Sequence, residues 1–164
     1  PFSCVSIALG IGKEPVVGVV FNPFMNELFE AARGGGAFLN RKRIRVSRVQ
    51  DLTESFLATG FSYDIQESPD RPIEIFKKML LRCHSVRRPG SAAMDMCYLA
   101  RGIFDGFWEE GLKPWDTAAG VVILREAGGT LTTFDGAPYT PYDKTVVASN
   151  GLLHDAMLEV LNSS

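Results

Sequence analysis

Residues 113–120 read KPWDTAAG and residues 126–129 read EAGG, and these two segments are the most informative in the chain. Asp116 stands where a helix would begin, and an aspartate there accepts backbone N–H bonds and favours the positive helix end. Gly128 and Gly129 stand where helices typically end. The stretch therefore predicts a helix that Asp116 caps and that runs to about residue 127. Such a helix requires no catalytic purpose.

Around this helix, the apolar spacing predicts an α/β unit of alternating strands and helices. Ser91 is expected to cap a helix that Gly102 ends. The predicted strands are 56–59, 85–87, 104–108, 130–134 and 145–149, and the predicted helices are 71–81, 92–100, 116–127 and 152–161.

The first fifty residues have a different pattern, which is typical of an antiparallel meander. Apolar residues alternate with small ones over residues 5–11, and turn residues lead into a second apolar run. The predicted strands are 5–11, 16–21, 27–32, 37–39 and 44–46. We therefore predict two parts, an antiparallel sheet at residues 1–50 and a C-terminal α/β domain at residues 51–164.

Composition places the chain among ordinary globular proteins, with 46% hydrophobic and 22% charged residues in 164. The formal net charge of −2 gives no reason to expect nucleic acid or an anionic membrane as a partner. No apolar run approaches the roughly 18 residues of a membrane span. Cys4, Cys83 and Cys97 lack metal or disulfide spacing, which favours a reducing, cytoplasmic location.

Three other groups of polar residues were weighed as sites. His84 and His154 are too few for a ligand cluster and fit ordinary polar roles. The basic run at residues 41–48 fits a solvated hairpin tip better than a nucleic-acid surface, because no aromatic residues are interleaved with it. The acidic loop, which contains Asp64, Glu67 and Asp70, does not match a calcium loop.

The motif W-D-x-x-A-G, followed by a double glycine, resembles the second signature of the inositol monophosphatase family, within the magnesium-dependent, lithium-sensitive phosphatases. The resemblance implies that Asp116 ligates Mg²⁺ and contacts a substrate hydroxyl, and that Trp115 packs behind it. A hard cation prefers carboxylate oxygen, which a rigid helix end would hold in place.

Two further segments carry the same resemblance. Gly90, Ser91 and Ala92 resemble the family's G-[ST]-A segment, where a helix N-terminus offers amides to substrate oxygens. Without that context they are simply a helix start. Glu109 resembles the carboxylate that binds a polyol hydroxyl, and Glu110 would point to the other side of an extended chain.

The resemblance also covers the segments PFSCVSIA at residues 1–8 and GGGAFLN at 34–40, and so nearly the whole chain. It implies a layered αβαβα fold, here without the N-terminal helices and first strands. The family's first signature, D-P-[IL]-D-G-T, is absent and would precede Pro1, so we expect a fragment that is inactive alone. The three glycines at residues 34–36 are taken as structural.

The function implied by the resemblance is Mg²⁺-dependent hydrolysis of a small polyol or sugar phosphate, such as myo-inositol 1-phosphate, in the parent protein. Fructose 1,6-bisphosphate, histidinol phosphate and nucleotide-derived phosphates are alternative substrates. A homodimer is the expected assembly. The competing hypothesis is a non-catalytic fragment or pseudoenzyme that binds a ligand or a partner chain.

Overall fold

The computed structural model of the chain describes residues 2–62 and 65–163, which form two five-stranded sheets and four helices. Two residues that the sequence analysis named, Pro1 and Asp64, lie outside this part.

The first sheet is an antiparallel meander in the order β1-β2-β3-β4-β5, as predicted. Its strands are β1 Val5–Ile11, β2 Glu14–Asn22, β3 Glu27–Ala32, β4 Gly36–Leu39 and β5 Lys42–Arg43. The predicted strand at residues 44–46 is wrong, because β5 ends at Arg43. Beyond it the buried Ile44 joins the core, and the N–H of Val46 donates to the carbonyl of Ala127 instead of to a neighbouring strand.

The second sheet is mixed and has the order β7-β6-β8-β10-β9. Strand β6 runs parallel to β7 and β8, whereas β10 is antiparallel to β8 and β9. The strands are β6 Phe56–Thr59, β7 Ser85–Arg87, β8 Gly106–Glu110, β9 Thr130–Thr132 and β10 Thr145–Ser149. The helices are α1 Asp70–Leu80, α2 Ala92–Ala100, α3 Pro114–Glu126 and α4 His154–Asn162.

Helices α2 and α3 form a layer between the two sheets. One core cluster joins residues of the first sheet to residues of α2, α3 and β8, including Val20, Met96 and Phe107. A second cluster packs the opposite face of the second sheet against α1 and α4, with Leu57 and Met157 among its members. The layers therefore follow the order sheet, helices, sheet, helices, which confirms the predicted αβαβα arrangement without its first helical layer. The domain boundary near residue 50 stays a prediction.

The close contact between the first sheet and α3 depends on Gly18. A Cβ atom on residue 18 would lie 2.4 Å from the carbonyl oxygen of Ala119, so only glycine lets the helix backbone approach β2 this closely. This contact fixes the height of α3 above the sheet, and thereby the position of Asp116 in its first turn.

Three predicted ends were displaced by local hydrogen bonds. The predicted strand 104–108 starts at Gly106, because the Asp105 carboxylate accepts bonds from the Phe56 N–H and the Ser47 hydroxyl. The predicted strand 130–134 stops at Thr132, where a turn begins. The predicted start of the last helix at residue 152 moves to His154, because the Asn150 side chain accepts the N–H groups of residues 152 and 153.

Candidate functional site

The residues predicted from the family resemblance line one cleft of about 790 Å³. It lies where the beginning of the chain, the end of β6 and the starts of α2 and α3 meet the end of β8. The predicted residues in its wall are Gly90, Ser91, Ala92, Glu109 and Asp116. The structure thus brings every predicted site residue to one place, although the first and last of them are 26 positions apart in sequence.

Asp116 does not cap α3, which corrects the prediction made from its position. The helix begins at Pro114 with Lys113 as the cap residue, and Asp116 is the third helical residue. Its Oδ2 accepts the backbone N–H of Lys113 at 2.8 Å, the reciprocal half of a capping box. Proline at the first helical position explains the shift, because its fixed φ and missing N–H suit that position. The carboxylate is half-buried and held by a helix terminus.

Trp115 does not pack behind Asp116, contrary to the expectation. Its side chain is 71% exposed and forms part of the cleft wall. Consecutive helical residues point about 100° apart, so the two side chains leave the helix in different directions. Within the part of the chain that the structure describes, the indole therefore covers the cleft and leaves the carboxylate without a backing ring.

Glu109 is buried at the end of β8, with 8% of its surface exposed. Its carboxylate fits against Gly60, since a Cβ at residue 60 would lie 2.2 Å from Oε1. Burial raises the pKa of the Glu109 carboxyl to about 7, the charge of Asp116 raises it further, and Arg88 opposes both. Glu110 alternates to the other face of the sheet, where it lies 3.9 Å from Arg71 of α1.

The start of α2 presents unused backbone donors to the cleft. Gly90 has φ +97 and nothing within 4 Å of a hypothetical Cβ, so the backbone is open to an approaching ligand. Ser91 occupies the cap position but makes no capping hydrogen bond, because its hydroxyl lies 3.8 Å from the sulfur of Cys4. The first N–H groups of a helix have no partner within it. Those of α2 are therefore available to substrate oxygens.

Sequence reasoning missed two residues of this cleft. Asp95, in the first turn of α2, is 1% exposed, and its Oδ1 has no hydrogen-bond partner. Its position as a lone acid within the apolar run of α2 could have drawn attention to it. Arg88 holds its guanidinium 5.2 Å from the centre of the Phe61 ring and also lines the cleft. Its neighbour in the resemblance was Gly90.

Asp116 suits Mg²⁺ as a single ligand. Its carboxylate supplies hard oxygen from a rigid element, and only Oδ2 is engaged by the Lys113 N–H. Among residues 2–62 and 65–163, no group of three or more histidine, cysteine or acidic side chains is placed to hold a metal ion. The described residues therefore fit one ligand of such a site and do not complete it.

The remaining candidates have structural surroundings. The imidazole of His154 is buried between the hydroxyls of Ser149 and Thr132, at 3.0 and 2.9 Å, and burial lowers its pKa. The three cysteines are free. None of the helices in the described ranges combines the length and the apolar content needed to span a bilayer.

The whole sequence, residues 1–164, matches the Inositol monophosphatase family. It is 46% identical to an inositol-1-monophosphatase of Synechocystis sp. over 98% of this chain and 56% of that protein. It is 42% identical to a fructose-1,6-bisphosphatase/inositol-1-monophosphatase of Aquifex aeolicus over 98% of this chain and 60% of that protein.

Solved structures agree with these sequence matches. The structure of the inositol monophosphatase from Anabaena (Nostoc) sp. superposes with a TM-score of 0.94 at 45% identity, over 96% of this chain and 63% of that one. The chain thus spans less than two thirds of the length of these relatives. On the match over its full length and the shared fold, the chain belongs to the inositol monophosphatase family.

Proposed function

We propose that the protein to which this chain belongs hydrolyses phosphate monoesters of small polyols or sugars, of the myo-inositol 1-phosphate type, with Mg²⁺. The observation that carries the proposal is the meeting of Glu109, Asp116 and the start of α2 around one cleft. A carboxylate that accepts a hydroxyl, a carboxylate that ligates a cation and free helix amides are the groups that a polyol phosphate requires.

Each group has a distinct role in this proposal. The backbone N–H groups at Ser91 and Ala92 bind phosphate oxygens, and Gly90 lets the ligand approach them. Glu109 accepts a hydrogen bond from a hydroxyl next to the phosphate and so orients the polyol. Asp116 holds one face of the metal and contacts a second hydroxyl. Bound Mg²⁺ supplies charge neutralisation at the phosphate and activation of water.

The relatives' names support the class of substrate more than its identity. The Synechocystis protein is named for inositol monophosphate, whereas the Aquifex protein is named for fructose 1,6-bisphosphate as well. Glu109 suits any substrate that presents a hydroxyl near the phosphate. Histidinol phosphate and nucleotide-derived phosphates therefore belong in the same test panel. A homodimer and a cytoplasmic location complete the proposal.

The decisive experiment measures Mg²⁺-dependent phosphate release from myo-inositol 1-phosphate and the panel above, with this chain and with the full-length gene product. We expect release from the full-length protein and none from the chain alone, because Asp116 by itself cannot gather the metal. Asp116→Asn in the full-length protein should lower kcat at least about a hundredfold.

The matched control is Asp51→Asn, since the Asp51 carboxylate also accepts a backbone N–H at 2.8 Å but lies outside the cleft. This variant should keep its activity. Full-length protein that releases phosphate from no member of the panel would contradict the proposal and favour a non-catalytic binding role. Equal losses in the two variants would place the effect of Asp116 in folding.

A further inference from the structure

Asp95 is a buried acid for which the proposed hydrolysis gives no role. Its side chain is 1% exposed, and Oδ1 is buried without a hydrogen-bond partner. Among the residues that the structure describes, it takes part in no ion pair. A buried carboxylate without a partner is expensive, and such a group takes up a proton instead.

The surroundings of Asp95 favour the neutral acid. Its neighbours in α2 include Met94, Met96 and Cys97, all with no exposed surface. The titratable groups that act on it or that it acts on are Glu109, across the cleft floor on β8, and the Cys97 thiol on its own helix. Burial raises the pKa of Asp95 to about 8, and the charge of Glu109 adds to this. Burial also keeps the Cys97 thiol neutral, by raising its pKa well above the usual value.

Glu109 is confined on its other side. The carboxylate lies against Gly60, where even one added carbon would be 2.2 Å from Oε1. Both acids line the same cleft, and the proposed substrate hydroxyl would approach Glu109 from the open side. A neutral carboxylic acid has one O–H to donate, and Glu109 is the acceptor whose charge reaches Asp95.

We propose that Asp95 is protonated in the folded protein and donates its hydrogen toward the carboxylate of Glu109, which it holds in place to accept a substrate hydroxyl. Asp95 is then a positioning residue, because it acts on the substrate through Glu109. This inference rests on the proposed function for its consequence in catalysis, but the protonation of Asp95 is independent of it.

The first arm of the test measures the ¹³C chemical shift of the Asp95 side-chain carboxyl in the labelled chain at pH 6.5 to 7. We expect the shift of a protonated carboxylic acid. The reference is Asp105, which is also buried but accepts hydrogen bonds from the Phe56 N–H and the Ser47 hydroxyl, and should give the shift of a carboxylate. A carboxylate shift at Asp95 overturns the proposal.

The second arm compares substitutions in the full-length protein. Asp95→Asn keeps the shape and a donor, so kcat/KM for myo-inositol 1-phosphate should stay within about threefold of the unmodified value. Asp95→Leu removes the donor and should lower kcat/KM about tenfold or more, mainly through KM. Hydrolysis of phenyl phosphate, which presents no neighbouring hydroxyl, should change little in either variant.

The outcomes separate the competing explanations. If Asp95 acted as an anion, Asp95→Asn would lose as much activity as Asp95→Leu, and this result overturns the proposal. A purely structural role would lower the rates on both substrates together, and it overturns the proposal as well. Should Asp95→Leu fail to fold, the asparagine variant and the ¹³C shift decide. Should the unmodified full-length protein hydrolyse nothing, the proposed function fails while the ¹³C shift still decides the protonation.

Discussion

The carboxylate of Glu109 lies so close to Gly60 that a Cβ at residue 60 would be 2.2 Å from Oε1 and 2.4 Å from Oε2. Gly60 follows β6 directly and Glu109 belongs to the adjacent parallel strand β8. The absence of a side chain on one strand therefore makes room for the functional group of the next.

Gly60→Ala should displace the Glu109 carboxylate and weaken the binding of polyol phosphates. We expect KM for myo-inositol 1-phosphate to rise about tenfold in the full-length protein, with a smaller change in kcat. A double-mutant cycle with Glu109→Ala checks the cause, because the effect of Gly60→Ala should vanish once the carboxylate is gone. Additive effects would mean that alanine at position 60 acts elsewhere.

Gly18→Ala should strongly destabilise the chain. The new methyl group would meet the backbone of Ala119 at 2.4 Å, and backbone cannot swing aside. Overpacking typically costs about 1–3 kcal/mol, and this contact should reach the upper end of that range. Gly120→Ala is the matched control, because its methyl group would meet the flexible Met96 side chain at 2.8 Å. Urea unfolding should show the larger loss for Gly18→Ala, and the reverse order would contradict this account of the helix contact.

The stability of the chain should fall as the pH rises from about 6.5 to 8. The pKa of Asp95 is raised from 3.8 to about 8 and that of Glu109 from 4.5 to about 7. Within this window the folded protein binds more protons than the unfolded chain, so the free energy of unfolding decreases with pH. Below pH 6.5, neutral His154, whose pKa is lowered by burial, acts in the opposite direction.

Asp95→Asn isolates the larger of these contributions, since His154 and Glu109 remain in both proteins. The variant should have a flatter pH dependence and gain about 1–3 kcal/mol over the parent at pH 8, the usual cost of a buried unsatisfied group. Urea unfolding at pH 6.5, 7, 7.5 and 8 measures the difference. Parallel curves for the two proteins would show that Asp95 does not change its protonation on folding.

The outer face of β1 should make this chain associate with itself. Val5, Ile7, Leu9 and Ile11 are between 56% and 74% exposed, and the paired β2 residues extend the apolar face. Exposed apolar faces on edge strands promote association. Ile7→Thr combined with Leu9→Thr should reduce the sedimenting mass of the chain, while Lys13→Thr in the adjacent turn should not. A parent chain that sediments as a monomer at tens of micromolar would refute this expectation.

Local pattern was sufficient for most of the fold. Strands β3, β6, β7 and β10 and helix α2 have the predicted bounds, because alternation, helical spacing and glycine stops are local signals. The errors arose where distant groups compete for backbone bonds. Strand β5 ends at Arg43 because Val46 bonds to the end of α3, and β8 starts late because Asp105 anchors Phe56. Neither partner is visible in a window of neighbouring residues.

The sequence by itself determined the family, the layered fold and the five residues of the candidate site, because glycines, a capping segment and motif spacing are written along the chain. Only the tertiary structure decided that Trp115 is exposed and that Asp95 is buried beside the cleft without a hydrogen-bond partner for Oδ1. It also set the raised pKa values of Asp95 and Glu109. Burial and charge interactions depend on which atoms surround a group in space, and those atoms come from four separate elements of the chain.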